Sequence, residues 1–289
     1  MTNDLKPGIL YVVSTPIGNL EDMTFRAVRI LQEADAIAAE DTRRTGKLLQ
    51  HFQITTPQIS YHEHNSRARL AQLLQRLQQG ETIALVSDAG VPGISDPGVE
   101  LVRACIEHNI DVVPIPGANA AITALVASGC SSDRFVFEGF LPVKGKERRD
   151  RLHFLAQEAR TLIIYEAPHR LQRTLADFAT VFGEDRMVVL ARELTKLHEE
   201  FWRGTLAEAM AQFQVRSPKG EFTLVIAGKE PAIAVALSAS EMKVELKNLL
   251  AEGMTRSQAS RHLAESTSLS RREIYQLTLE LGEDDCSST

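Results

Sequence analysis

The chain has 289 residues, 44% of them hydrophobic and 24% charged, with a formal net charge of −6. That is an ordinary globular composition with room for two medium domains and a small extra module. The acidic balance excludes a broadly basic nucleic-acid surface, although a local basic patch would suffice for RNA. No apolar run reaches the ~18 residues of a membrane span, and no signal-peptide pattern opens the chain. Cys105, Cys130 and Cys286 are too scattered for a metal motif or a disulfide framework. A cytoplasmic protein is expected.

Residues 8–130 alternate short β-prone runs with helical patterns. A strand at Ile9–Val13 leads into Ser14-Thr15-Pro16-Ile17-Gly18-Asn19-Leu20 and a helix near Thr24–Gln32. A second, Ala36–Ala39, leads into Glu40-Asp41-Thr42-Arg43-Arg44 and a helix near Thr45–Phe52. A third, Gln58–Tyr61, leads into His62-Glu63-His64-Asn65 and a helix over Arg67–Leu77. The strand Thr82–Val86 then meets a long irregular stretch, from Ser87 to Gly98, too rich in Gly and Pro to continue any regular element. Beyond it Val99, Val102 and Ile106 share a helix face. The strand Asp111–Val113 is followed by Pro114-Ile115-Pro116-Gly117-Ala118-Asn119-Ala120, and a small-residue helix over Ala120–Ala127 is expected to close this domain against its sheet. Strands alternating with helices imply a parallel sheet with right-handed crossovers. Such a sheet gathers its three Gly/Pro loops at one edge, where open α/β sheets bind ligands. Neither G-x-x-x-x-G-K-[ST] nor G-x-G-x-x-G occurs, so a small ligand without a phosphate chain fits best.

Residues 131–230 change rhythm. Strands are expected at Phe135–Glu138, Thr161–Tyr165, Met187–Arg192, His198–Gly204 and Phe222–Ala227, with helices at Glu147–Gln157, Leu171–Phe182 and Thr205–Phe213. Closely spaced strands without crossovers imply antiparallel pairing, hence a second α/β domain with a mixed sheet. Lys229–Ser240 reads as a linker. Residues 240–282 hold three short helices, introduced by the capping boxes Ser238/Glu241, Thr255/Gln258 and Ser270/Glu273, in a helix-turn-helix-like module. So small a module is expected to lean on another surface. The tail from Glu283 to Thr289 is expected to be disordered.

Five of the eight residues Lys144-Gly145-Lys146-Glu147-Arg148-Arg149-Asp150-Arg151 are basic, beside a Gly/Pro break. Clustered cations at a helix start suit phosphate contacts, the plainer alternative being a solvated helix face. Lys144, Lys146, Arg148 and Arg149 are therefore RNA-binding candidates, and Arg256, Arg261, Arg271 and Arg272 of the C-terminal module are a second set. His62 and His64 lack a third ligand at suitable spacing, so no metal site is expected.

Pro16-Ile17-Gly18-Asn19-Leu20, Ala39-Glu40-Asp41-Thr42-Arg43, Ser87-Asp88-Ala89-Gly90, Ser95-Asp96-Pro97-Gly98 and Pro116-Gly117 together resemble the tetrapyrrole-methylase superfamily, over about Leu10 to Gly282. The resemblance implies S-adenosylmethionine (SAM) as methyl donor, bound in a cleft between the two α/β domains. It implies that Ile17, Gly18, Asp88, Val91, Ile94, Ser95, Ala118 and Asn119 line the pocket from the first domain. Tyr165, Glu166, Glu221, Phe222 and Thr223 would close it from the second. Within the superfamily the motifs are similar to those of its ribosomal-RNA branch, which methylates a cytidine ribose 2′-hydroxyl in 16S ribosomal RNA. The implied partner is that RNA or the small ribosomal subunit, and the implied assembly is a homodimer. A ribose hydroxyl is a poor nucleophile, so a nearby base or cation is wanted. Glu40, Asp41, Arg43, Lys144, Arg192 and Glu193 are the catalytic candidates, with His62, Asn65 and Glu138 behind them. An Asp41–Arg43 pair that merely caps a helix is the plainer reading of that motif. A tetrapyrrole methylase and a non-catalytic RNA-binding adaptor are the rival functions.

Overall fold

The computed structural model describes residues 7–230, 239–267 and 269–284. It divides into two compact units, Met1–Gly228 and Lys229–Thr289. In the first unit β1 (Ile9–Val13), β2 (Ala36–Ala39), β3 (Gln58–Ser60), β4 (Ile83–Val86) and β5 (Asp111–Ile115) form a parallel sheet in the order β3-β2-β4-β1-β5. Every residue of β2 and β4 is buried. Their unbroken apolar runs are what a parallel sheet covered on both faces requires. Ala27, Ile30 and Leu31 of α1 (Phe25–Glu33) and Leu49 of α2 (Thr42–His51) pack on one face. Leu73 and Leu77 of α3 (Ser66–Gln78), with Leu101 and Cys105 of α4 (Val99–Glu107), cover the other. The buried face of α4 is thus not the expected one, for Val99 and Ile106 are 51% and 63% exposed. The small side chains of Ala104 and Cys105 let the helix approach the sheet more closely than the β-branched stripe would.

The second sheet contains β6 (Phe135–Phe140), β7 (Thr161–Glu166), β8 (Met187–Arg192), β9 (Glu200–Thr205) and β10 (Phe222–Ile226) in the order β6-β7-β10-β8-β9. Only the β6–β7 pair is parallel. That pair needs a crossover, which α6 (Gly145–Ala156) supplies. One face is covered by α6, α7 (Pro168–Phe182) and α8 (Leu206–Val215), the last opened by a reciprocal Thr205/Glu208 capping box.

The opposite face is covered by α5 (Ala120–Ser128), whose Ala121, Ala124 and Leu125 meet Ile163, Val189 and Val225. The expectation that this helix closes the first sheet is therefore corrected. Its apolar small-residue surface is flat enough for either sheet, and the chain leaves β5 in the direction of the second. The two sheets consequently share one compact unit.

In the second unit α9 (Ala239–Ala251), α10 (Arg256–Ser266) and α11 (Arg271–Asp284) enclose Met242, Leu246, Leu249, Ala259, Leu263 and Ile274. The module therefore has an apolar core of its own. Thr255/Gln258 and Ser270/Glu273 both form reciprocal capping boxes. Ser238, Cys286 and residues 285–289 of the expected tail lie outside the described residues, as does most of the linker. Glu283 and Asp284 extend α11 beyond its expected end.

Candidate active site between the two sheets

The strand order sets β4, β1 and β5 side by side, so the loops after them meet. The first loop, after β1, and the second, after β4, are zipped: Thr15 N–H donates to the Gly90 carbonyl at 2.8 Å, and Gly90 N–H donates back at 3.0 Å. The Thr15 hydroxyl adds a bond to the Ser87 carbonyl, 3.2 Å. Gly90 has φ +82°, and a Cβ there would come within 3.3 Å of Ile17, so glycine is what allows the two loops to touch. The third loop packs on the first, since a Cβ at Gly117 would lie 2.8 Å from that of Ser14.

These loops form one wall of a cavity of about 460 Å³, within the range of small-molecule sites. Ile17, Gly90, Val91, Ile94, Ser95, Asp96 and Asn119 contribute from the loops. The second sheet contributes Phe140, Tyr165, Glu166, Ala191, Glu221, Phe222 and Thr223, with the start of α7 and the Leu194–Lys196 turn. Tyr165 stands edge-on to Phe137 and Phe140, with ring centres 5.0 and 5.7 Å away, and burial raises its phenol pKa. Lys196 bridges Glu193 and Glu221, each at 2.9 Å. Its stem lies against Gly18, where a Cβ would come within 2.4 Å of Lys196 Cγ.

Acidic groups in the two walls are handled differently. On the first sheet, Asp88 N–H donates to Glu40 at 3.2 Å, Asp41 N–H donates to Asp88 at 3.1 Å, and Arg44 reaches Asp88 at 3.1 Å. Burial, opposed by the Asp88 N–H and helped by the Asp88 charge, raises the Glu40 pKa. Asp96 is pushed up to about 6, first by burial and then by the charge of Glu40, with Ser87 offering only a hydroxyl in return. On the second sheet, buried Glu166 accepts from Ala167 N–H at 2.8 Å, Thr174 at 2.5 Å and Arg170 at 3.1 Å. Thr174 in turn accepts from Arg148 at 3.0 Å, and Arg148 also binds Asp177 at 2.8 Å and the Pro142 carbonyl at 3.0 Å.

Residues 9–210 match the family described as Tetrapyrrole (Corrin/Porphyrin) Methylases. A protein of Synechocystis sp. named ribosomal RNA small subunit methyltransferase I is 63% identical over 277 residues, which is 96% of this chain and 99% of that one. The protein of that name from Bacillus subtilis is 46% identical over 275 residues, 93% of each chain. The chain belongs to the tetrapyrrole methylase family. Solved members share its fold. Uroporphyrin-III C-methyltransferase from Thermus thermophilus, in complex with S-adenosylhomocysteine, aligns with TM-score 0.56 and 16% identity over 75% of this chain and 96% of that one. A cobalt precorrin-4 methyltransferase aligns with TM-score 0.54 and 17% identity over 75% and 94%.

For a methylase of this family the cavity is the site to compare with the sequence reading. It gathers Ile17, Val91, Ile94, Ser95, Asn119, Tyr165, Glu166, Glu221, Phe222 and Thr223. It omits Gly18, Asp88 and Ala118. Gly18 is taken up by Lys196, and the Asp88 carboxylate turns away to hold the Asp41 amide and Arg44. Of the six catalytic candidates, Glu40 lines the neighbouring cavity formed by the loops after β2, β3 and β4. Asp41 and Arg43 pair on the surface, and the Asp41 carboxylate caps α2 through Arg43 N–H at 2.9 Å. The bonds from Arg43 hold that carboxyl well below the usual range. Arg192 binds the Lys219 carbonyl and Glu200, and Glu193 binds Lys196 and the Glu221 amide. Lys144 stands exposed before α6 and, like Arg192 and Glu193, lines neither cavity. Arg148 corrects the basic-run reading: it is 3% exposed and its donors are spent within the protein. The helix turns it inward while Lys144, Lys146 and Arg149 stay exposed. Phe140, Lys196 and Asp96 were missed, although Asp96 stands inside a motif already singled out.

Proposed function

We propose that this chain transfers the methyl group of SAM to the ribose 2′-hydroxyl of a cytidine in 16S ribosomal RNA. It acts on that RNA or on the small ribosomal subunit, in the cytoplasm and as a homodimer. The observation that carries this reading is the match, along nearly the whole chain, to relatives named for ribosomal RNA small subunit methylation.

The residues of the cavity suit SAM. Ile17, Val91, Ile94, Phe140 and Leu194 offer apolar surface for a purine, while Asn119, Thr223 and the loop amides offer polar partners. The carboxylates Asp96 and Glu221 favour a cationic sulfonium over a neutral thioether. When bound, SAM supplies an electrophilic methyl group. The protein must hold the acceptor oxygen in line, about 3–3.5 Å from that carbon, and exclude competing water. Lys144, Lys146 and Arg149 are free on the α6 surface to meet phosphates, and Arg256, Arg261, Arg271 and Arg272 are exposed on the C-terminal unit. Among the described residues no helix is long and apolar enough to cross a membrane.

Incubation of the protein with labelled SAM and either 16S ribosomal RNA or small subunits tests the reading. The expected product, after digestion to nucleosides, is 2′-O-methylcytidine. Label on a porphyrin-type acceptor and none on RNA would overturn it. A chain ending at Lys229 should bind SAM normally but require more RNA for the same rate.

A further inference from the structure

A second cavity, of about 1020 Å³, lies beside the first at the C-terminal ends of β2, β3 and β4. Among its lining residues are Glu40, His62, His64 and Arg67. Ser95 and Asp96 line both cavities, so they are the partition between them. We propose that the second cavity receives the target nucleoside, and that Asp96 accepts the proton of its attacking hydroxyl as the methyl group crosses this partition. The inference rests on the methyltransferase reading above and names the acceptor site and base that it lacks.

Two substrates that exchange a methyl group must meet, and the shared wall is where the cavities do. The partition is held under backbone strain. Ser95 has φ +60°, a left-handed conformation that is unfavourable for a non-glycine residue. The loop is closed on itself by Gly93 N–H donating to the Pro97 carbonyl at 3.2 Å, which keeps Asp96 in place. Strain of this kind persists where the surrounding structure dictates a position.

The electrical setting suits a base. Glu40 and Asp88 face Asp96 from the first sheet, Tyr165 faces it from the second, and the Arg44 guanidinium beside them is engaged by Asp88. A carboxyl near 6 is mostly ionised at neutral pH yet far more basic than an ordinary aspartate. The wider lining is acidic too, with Glu63 and Glu100 added to Glu40. It therefore suits a neutral ribose and leaves the flanking phosphates to Arg67 and the rim. The His62 and His64 rings lie 6.0 Å apart in this lining, within reach of a nucleobase placed there.

The step balances without another reactant. The ribose oxygen bonds to the methyl carbon as the carbon–sulfur bond breaks. Sulfur keeps the bonding pair and becomes a neutral thioether, and the hydroxyl proton passes to the Asp96 carboxylate and on to water.

Single-turnover methylation by the full chain, with labelled SAM and 16S ribosomal RNA or small subunits, tests this. The wild-type rate should rise about tenfold per pH unit below about 6 and level off above it. Asp96→Asn should slow the step about 100-fold or more and remove that pH dependence. Asp96→Glu should restore part of the rate. His64→Trp, which narrows the second cavity at its rim, should raise the RNA concentration needed for half-maximal rate and leave SAM binding alone. A rate for Asp96→Asn within about threefold of wild type, or a flat wild-type profile between pH 5 and 8, would overturn the role of Asp96. Unchanged RNA dependence in His64→Trp would overturn the acceptor site. A wild-type protein that methylates no RNA would sink the methyltransferase reading itself, and the inference with it.

Discussion

Asp96 and Glu166 face the same cavity from opposite walls and live in opposite electrical surroundings. Glu166 is 2% exposed and answered on every side by Arg170, Thr174 and a backbone amide, with Arg148 and Asp177 one bond further out. Asp96 is half-buried among other carboxylates with a single hydroxyl for company. A buried charge that is fully paired is rigid and chemically quiet, whereas one left beside like charges is ready to take a proton. The second sheet thus provides a stiff wall, and the loops of the first provide reactivity.

Breaking the paired wall should have the largest effect on stability. Glu166→Ala leaves Arg170 and Thr174 without their acceptor and should destabilise the fold by about 3–5 kcal/mol, read by chemical denaturation. Arg148→Ala should behave like it, not like a loss of RNA contact, because Asp177 is then left without its buried partner. Lys144, Lys146 and Arg149 changed together to Ala should leave stability alone. They should lower the slope of log affinity against log salt for RNA by about 2, as expected for three lost phosphate contacts to single strands. A filter-binding series across salt measures it, and an unaltered slope returns these residues to the solvated surface.

The unpaired wall carries a smaller and oppositely signed effect. The Asp96 carboxyl rises from an ordinary 3.8 to about 6 on folding, so the folded protein holds the neutral form more tightly. Wild-type stability therefore falls relative to Asp96→Asn as pH climbs from about 4 to 6, then stays level. The variant should melt at the same temperature as wild type at pH 4 and higher at pH 8. After solvent screening the gain is of order 1 kcal/mol. A variant less stable than wild type at pH 8 would show that Asp96 is structural. The smallest effect belongs to the surface pair: Arg43→Ala should change the melting temperature by no more than about 1 °C.

Much of this contrast was hidden in the primary structure. β1, β2 and β8 occupy the residues their apolar runs predict, and the Thr255 and Ser270 caps open helices as read. Strand ends followed by Gly and Pro marked the ligand edge. Arg148 was not legible, because one inward position in a run of cations has no local signature. Asp96 was hidden for a related reason: its motif marks a turn, while its basicity comes first from burial and then from the charge of Glu40, brought in from a distant part of the chain.

The sequence by itself determined the alternation of strand and helix, the mixed pairing of the second sheet and the loops that hold the ligand edge. These follow from periodicity and turn chemistry, which act over a few residues. Only the tertiary structure decided that α5 covers the second sheet, that Glu166 and Arg148 belong to one buried network, and that Asp96 divides two cavities. Each of those depends on which distant surfaces meet, and periodicity tells a residue's face but not its partner.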